Sequence, residues 1–154
     1  MIDTPHIEKT PAQTTAVVHV TCHKSEIRNA MGPGLKELMS TLAAQGIVPT
    51  GRWFTHHRKL PGETFDFEIG VPVGKPVTPA GRVKGGQLPA ATVARTVYHG
   101  NYEGLPAAWP QLEAWIVAQG RKSAPFLWET YVTDPATNPD PATWQTELTR
   151  PLAD

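Results

Sequence analysis

The sequence predicts an α+β fold, a tandem pseudo-twofold repeat of two strand–helix–strand–strand modules with a central ligand cleft at their seam. Met31, Leu35, Leu38 and Leu42 fall at spacings of four, three and four, one face of a helix that Gly46 closes. Leu105, Trp109, Leu112 and Ile116 repeat that spacing before Gly120, and Ala44-Gln45-Gly46 returns as Ala118-Gln119-Gly120. Strand-like segments flank both helices in the same order, on either side of a proline- and glycine-rich stretch.

Taken in order, residues 1–13 are a polar lead-in with a short edge strand at 7–9. Residues 14–21, TTAVVHVT, are rich in β-branched types and read as a strand, joined to the first helix by 22–29. Residues 52–58, RWFTHHR, form a strand, and Pro61-Gly62 a turn. In 64–71, Phe65, Phe67, Ile69 and Val71 alternate with Asp66, Glu68 and Gly70, the pattern of a half-buried strand. Residues 74–89 read as the linker between module 1 (about 5–73) and module 2 (90–154), with at most brief edge pairing at 82–84. Module 2 continues with a strand at 92–98, a turn at His99-Gly100-Asn101, the second helix and a strand at 126–133. A turn-rich loop at 134–141 and a last strand at 143–152 complete it.

The charge balance excludes whole classes of partner. Lysine plus arginine and aspartate plus glutamate each number 14, so the formal net charge is zero, which argues against a nucleic-acid or anionic-membrane surface. No apolar run reaches the length of a membrane span, and the first residues, MIDTPHIEKTPAQ, do not resemble a targeting peptide. Cys22 is the only cysteine, so an intrachain disulfide is impossible. A cytoplasmic protein is expected. The 16 prolines and 13 glycines punctuate periodic segments, so they are turns and not a sign of disorder.

Chemistry concentrates at Glu129, an acid between Trp128 and Tyr131 in a strand of aromatic and β-branched residues. Burying an unpaired charge is expensive, so such an acid is either a surface ion pair or buried for a purpose. Leu127, Glu129 and Tyr131 share one strand face, and Phe126, Trp128, Thr130 and Val132 the other. With the Trp128 face packed on the helices, Glu129 and Tyr131 would look into the seam. At the offset relating the helices, Glu129 corresponds to Thr55, Tyr131 to His57 and Leu127 to Trp53, so Trp53, Thr55 and His57 would line the seam from module 1. Trp53 also suits a core position. Tyr102, between Gly100 and Gly104, would rim the cleft, Phe67 fits either the seam or the helix interface, and Trp109 repeats the core position of Leu35.

Six histidines invite a metal reading. His19 and His23 lie on a strand and its exit, and His56 and His57 point oppositely on a strand, so no metal site is expected. The serines sit in no nucleophile elbow, and the glycine pairs lack a phosphate-loop context. No cofactor is expected.

The module order, Tyr98-His99-Gly100-Asn101-Tyr102 before the second helix, Leu112 with Trp115 on it, Trp128-Glu129-Tyr131, Asp134-Pro135 and the close from Glu147 to Leu152 together resemble the GyrI-like small-molecule-binding domain. That family includes the effector-binding domain of multidrug-responsive transcription activators. The resemblance implies recognition of varied, often cationic, planar or apolar compounds, with an acid at the place of Glu129 on the cleft floor. It also implies two alternatives: hydrolysis of strained cyclopropane-bearing toxins, with Glu129 catalytic and Tyr131 assisting, and inhibition of DNA gyrase through a protein contact. With no residues left for a helix-turn-helix, the chain is expected to be a stand-alone member that reads no DNA itself. A small-molecule ligand is the expected partner, and a protein partner the third class.

Overall fold

The computed structural model describes residues 1–57, 62–133 and 137–153. The elements in order are β1 (His6–Thr10), β2 (Gln13–His23), α1 (Ile27–Ala44), β3 (Phe54–His57), β4 (Thr64–Pro72), β5 (Val83–Leu88), β6 (Ala91–His99), α2 (Leu105–Ala118), β7 (Leu127–Tyr131) and β8 (Gln145–Pro151). Short 3-10 turns at Lys24–Glu26 and Tyr102–Gly104 lead into the two helices, and a third, Pro141–Thr143, precedes β8. The chain divides into two compact units, residues 11–90 and residues 1–10 with 91–154. The readings that fell on residues 58–61 and 134–136, the first residue of the Pro61-Gly62 turn and the Asp134-Pro135 pair among them, lie outside the described residues.

In the unit of residues 11–90, antiparallel strands run in the order β3-β4-β2-β5. Val18 stands opposite Ile69, and Ile69 opposite Thr55, so these three share a face. That face carries Ala16, Val18, Val20, Phe67, Ile69 and Val71 against Leu38 and Leu42 of α1, with Trp53 half-buried at its margin. The helix lies close: a Cβ on Gly34 would come within 2.6 Å of Ile69 Cδ1. The four-three-four spacing is thus the stripe that α1 buries.

Two expectations need correction here. The strand at 64–71 is buried on both faces from Phe67 to Val71. Gly70 leaves room for the Phe54 ring, which a Cβ would approach to 2.7 Å, and Glu68 lies buried with His56 Nδ1 at 3.7 Å across the β3–β4 pair. The segment 74–89 is far more ordered than a connector, because β5 pairs with β2 from Gln13↔Leu88 to Val18↔Val83. The Gln45 side chain holds both the N–H and the C=O of Thr78 at 2.8 Å, and Glu37 accepts the Arg82 backbone N–H and Nε–H at 2.9 Å each.

In the unit of residues 1–10 and 91–154, the antiparallel order is β1-β6-β8-β7. Ala94 and Tyr98 of β6 and Leu148 of β8 pack on Leu105, Ala108, Leu112 and Ile116 of α2. Replacing the fully buried Leu112 or Ile116 by alanine would cost about 2–5 kcal/mol. Register decides which face of β7 the helix covers. Glu129 stands opposite Leu148 and Tyr131 opposite Thr146, whereas Trp128 stands opposite Thr149. Leu148 belongs to the α2 core, so Glu129 and Tyr131 face α2. Trp128 lies on the other face, with Thr149, whose hydroxyl accepts Arg95 Nε–H at 3.0 Å. The expected assignment of the two faces is reversed.

Candidate functional site

The Glu129 carboxylate is held at both oxygens. Trp109, on the second turn of α2, donates its indole N–H to Oε1 at 2.7 Å, and Tyr131, two residues along β7, donates its hydroxyl to Oε2 at 2.8 Å. Residues two apart on a strand share a face, which places that hydroxyl beside its own strand's acid. Loss of water around Glu129 pushes its pKa up, and the Trp109 and Tyr131 bonds oppose this with smaller effect. Among the described residues no lysine, arginine or histidine pairs with it. The two side chains that bond it, Trp109 and Tyr131, are both neutral donors.

Aromatic rings continue the site. Tyr102 meets Tyr131 edge-on, ring centres 5.7 Å apart at 74°, and lies 4.9 Å from the Trp144 ring at 38°. Trp144 is fixed by its indole N–H, donated to Asn138 O at 2.8 Å. The turn that presents Tyr102 is shaped by Tyr98 beneath it. A Cβ on Gly104 would fall 1.9 Å from the Tyr98 hydroxyl, and one on Gly100 2.8 Å from it. Gly100 also has φ +137, a conformation few other residues adopt. Two glycines therefore let the chain close over a buried tyrosine and set the next one, Tyr102, beside Tyr131.

Of the residues singled out from sequence, Glu129, Tyr131 and Tyr102 come together in this one unit. Trp53, His57 and Phe67 belong to the unit of residues 11–90, on the face toward α1. There the His57 ring stacks on Phe67 at 5.0 Å and 23° and meets the edge of Phe65 at 5.8 Å. Burial, then the neighbouring His56, lowers the His57 pKa to about 4, so the imidazole is neutral at pH 7. Its Nδ1 has no hydrogen-bond partner among the described residues.

Sequence reasoning missed Trp109 and Trp144. Trp109 was expected in the core, and it does pack there, but its indole nitrogen reaches the acid. A signal existed: at the helix offset the first half has Leu35 and Thr55 where the second has Trp109 and Glu129. Donor and acid thus occur in the same half of the sequence. Trp144 follows a proline-rich loop and gave no signal.

Among the described residues no three histidine, cysteine or acidic side chains cluster as a metal site would require. No described helix is long and apolar enough to cross a membrane.

The fold recurs in solved structures. The EcmrR C-terminal domain superimposes with TM-score 0.85 at 20% identity, covering 98% of each chain. In the EcmrR–DNA complex the match has TM-score 0.84 at 22% identity, and this chain spans 57% of the EcmrR chain. A hydrolase from Listeria innocua matches with TM-score 0.69 at 11% identity over 97% of this chain and 91% of that one. SAV2435, solved bound to tetraphenylphosphonium, matches with TM-score 0.67 at 9% identity over 97% and 94%. At these identities the likeness is one of fold. No curated protein matches the sequence. The family model of the GyrI-like small molecule binding domain matches residues 3–153, and the chain belongs to that family.

Proposed function

We propose that this domain binds flat or apolar organic cations at Glu129. One observation carries the reading: a poorly hydrated carboxylate held by two neutral donors, with no cation paired to it among the described residues. Such a group has no counterion among the described residues and is left to pair with an incoming cation. Aromatic faces add attraction of about 0.5–2 kcal/mol each to a nearby cation, and Tyr131, Tyr102 and Trp144 supply them here. The unit of residues 11–90 carries an aromatic group of its own, proposed as a separate apolar contact surface: Trp53 and His57, with Phe67 backing the imidazole. The tetraphenylphosphonium complex of SAV2435 makes that ion a natural probe. Calorimetric titration of it into wild type and Glu129→Gln is expected to show affinity falling about tenfold, ~1.4 kcal/mol, in the variant. Equal affinities would end the charge role.

A second reading is hydrolysis of strained cyclopropane-bearing electrophiles by the same glutamate. It is favoured by the raised pKa of an acid already bonded to a phenol hydroxyl, an arrangement suited to proton transfer. Incubation with a cyclopropane-bearing alkylator separates the readings: a binder leaves it intact, whereas an enzyme yields product that Glu129→Ala does not.

A further inference from the structure

We infer that Trp109 is a positioning residue that fixes the proton of Glu129 on Oε2, so that the acid exchanges this proton with a ligand through the Tyr131 hydroxyl. The inference deepens the reading of Glu129 as a ligand-facing acid and rests on it.

The donor and acceptor capacity of each partner decides where the proton sits. An indole N–H only donates, so Oε1, 2.7 Å from it, has to remain an acceptor whether or not the acid is charged. A proton on Oε1 would turn that oxygen into a hydroxyl, a poorer acceptor for the indole N–H than a carbonyl, which disfavours the arrangement by about tenfold. A phenol hydroxyl both donates and accepts. At 2.8 Å it donates to Oε2 of the carboxylate and, after turning about its C–O bond, accepts from Oε2–H of the neutral acid. The neutral acid therefore has one preferred arrangement, in which the carbonyl oxygen takes the indole N–H and the hydroxyl faces Tyr131. Among the described residues, ion pairs of this helix and sheet include Arg150 with Glu113 at 3.6 Å, Arg95 with Glu8 at 3.0 Å and with Glu147 at 3.5 Å, and none of them takes in Glu129.

Proton transfer then runs in a fixed direction. The Oε2–H bond breaks as its proton passes to the Tyr131 oxygen, and the hydroxyl's own proton passes to a basic atom of the ligand. No electrons change hands. The carboxylate keeps its Trp109 bond and regains the Tyr131 O–H, while the ligand leaves neutrality and becomes the counterion. The chemical class this suits is an uncharged weak base, such as a tertiary amine or an aza-aromatic, taken up neutral and held as a cation.

The test needs no ligand, so its failure is distinct from a failure of tetraphenylphosphonium to bind. In protein carrying 15N-tryptophan and 13Cζ-tyrosine, Glu129 is titrated by NMR. The Trp109 indole proton is expected to stay at its hydrogen-bonded, downfield position throughout, while Tyr131 Cζ shifts with the titration. An indole proton that moves to the unbonded position on protonation, with Tyr131 unchanged, would overturn the inference. In Glu129→Gln the side-chain NH2 should show nuclear Overhauser contacts to the Tyr131 ring, its carbonyl taking the Oε1 place; an NH2 lying against the Trp109 indole would equally overturn it. If that variant does not fold, the wild-type titration decides alone.

Discussion

Each unit holds a glutamate out of full contact with water, Glu68 and Glu129, and the two are treated differently. Glu68 lies on the face of its sheet away from α1, nearly inaccessible, with the His56 imidazole 3.7 Å away across the β3–β4 pair. Glu129 lies on the face toward α2, half-buried, held by an indole and a phenol. The first acid has a basic partner inside the fold. The second is held in place without being neutralised. A carboxylate satisfied by neutral donors keeps its field for a third party, and this difference, more than burial itself, separates a structural acid from a candidate site.

The sharpest way to break the comparison is to remove the structural acid. Glu68→Ala takes one partner from a buried pair and is expected to cost about 3 kcal/mol, read as a lowered urea midpoint. A variant as stable as wild type would show that Glu68 is no more structural than Glu129.

Next comes pH, where the units should pull in opposite directions. His57 has a folded pKa of about 4 against 6.5 in the free side chain. Below 6.5 the unfolded chain takes up a proton that the folded one refuses, so stability falls as pH drops from 6.5 toward 4, by up to about 3 kcal/mol. Glu129 has its pKa raised, so the folded state holds the proton more tightly. Its contribution to stability is present at low pH and is lost as pH rises from the ordinary carboxylate value upward. Thermal melts between pH 4 and 8 are expected to show His57→Phe removing the acid-side loss, and Glu129→Gln removing a loss on the neutral side. The same pH profile in both variants and wild type would refute the assignment.

The smallest effect sharpens the site itself. Gly104→Ala sets a methyl where the Tyr98 hydroxyl now lies, and overpacking of this kind costs about 1–3 kcal/mol. Tyr102 should move with the turn, so tetraphenylphosphonium affinity is expected to fall along with the melting temperature. Alanine at Gly120, where nothing lies within 4 Å of the added carbon, is expected to affect stability through its positive φ and leave that affinity alone.

Much of this was legible in the residues. The four-three-four spacing located both helices because a helix must bury one stripe, and alternation located β4 because strand side chains alternate. Glu129 and Tyr131 stood out as an acid and a phenol on one strand face. What parity does not say is which face a helix will cover. Trp128 looked like the core-facing residue, but the register of β7 on β8, set by pairing far along the chain, put Leu148 and Glu129 under α2. Strand β5 was hidden because VKGGQL carries two glycines, poor strand formers on their own, and is held by its ladder to β2. Trp109 was legible as an apolar position but not as a donor, since spacing fixes a side chain's direction and not the reach of one nitrogen.

The clip between α1 and the segment 74–89 has a consequence for proteolysis. Proteases need several residues of extended, unpaired backbone, and a proline- and glycine-rich stretch with basic residues would ordinarily offer them to trypsin. Here Arg82 is tied through its backbone and guanidinium to Glu37, and Lys84 sits within the β5–β2 ladder opposite Val17. Cleavage at either residue requires β5 to peel away first. The rate of nicking there would thus report how often that edge strand opens, a local stability read with a protease in place of a denaturant.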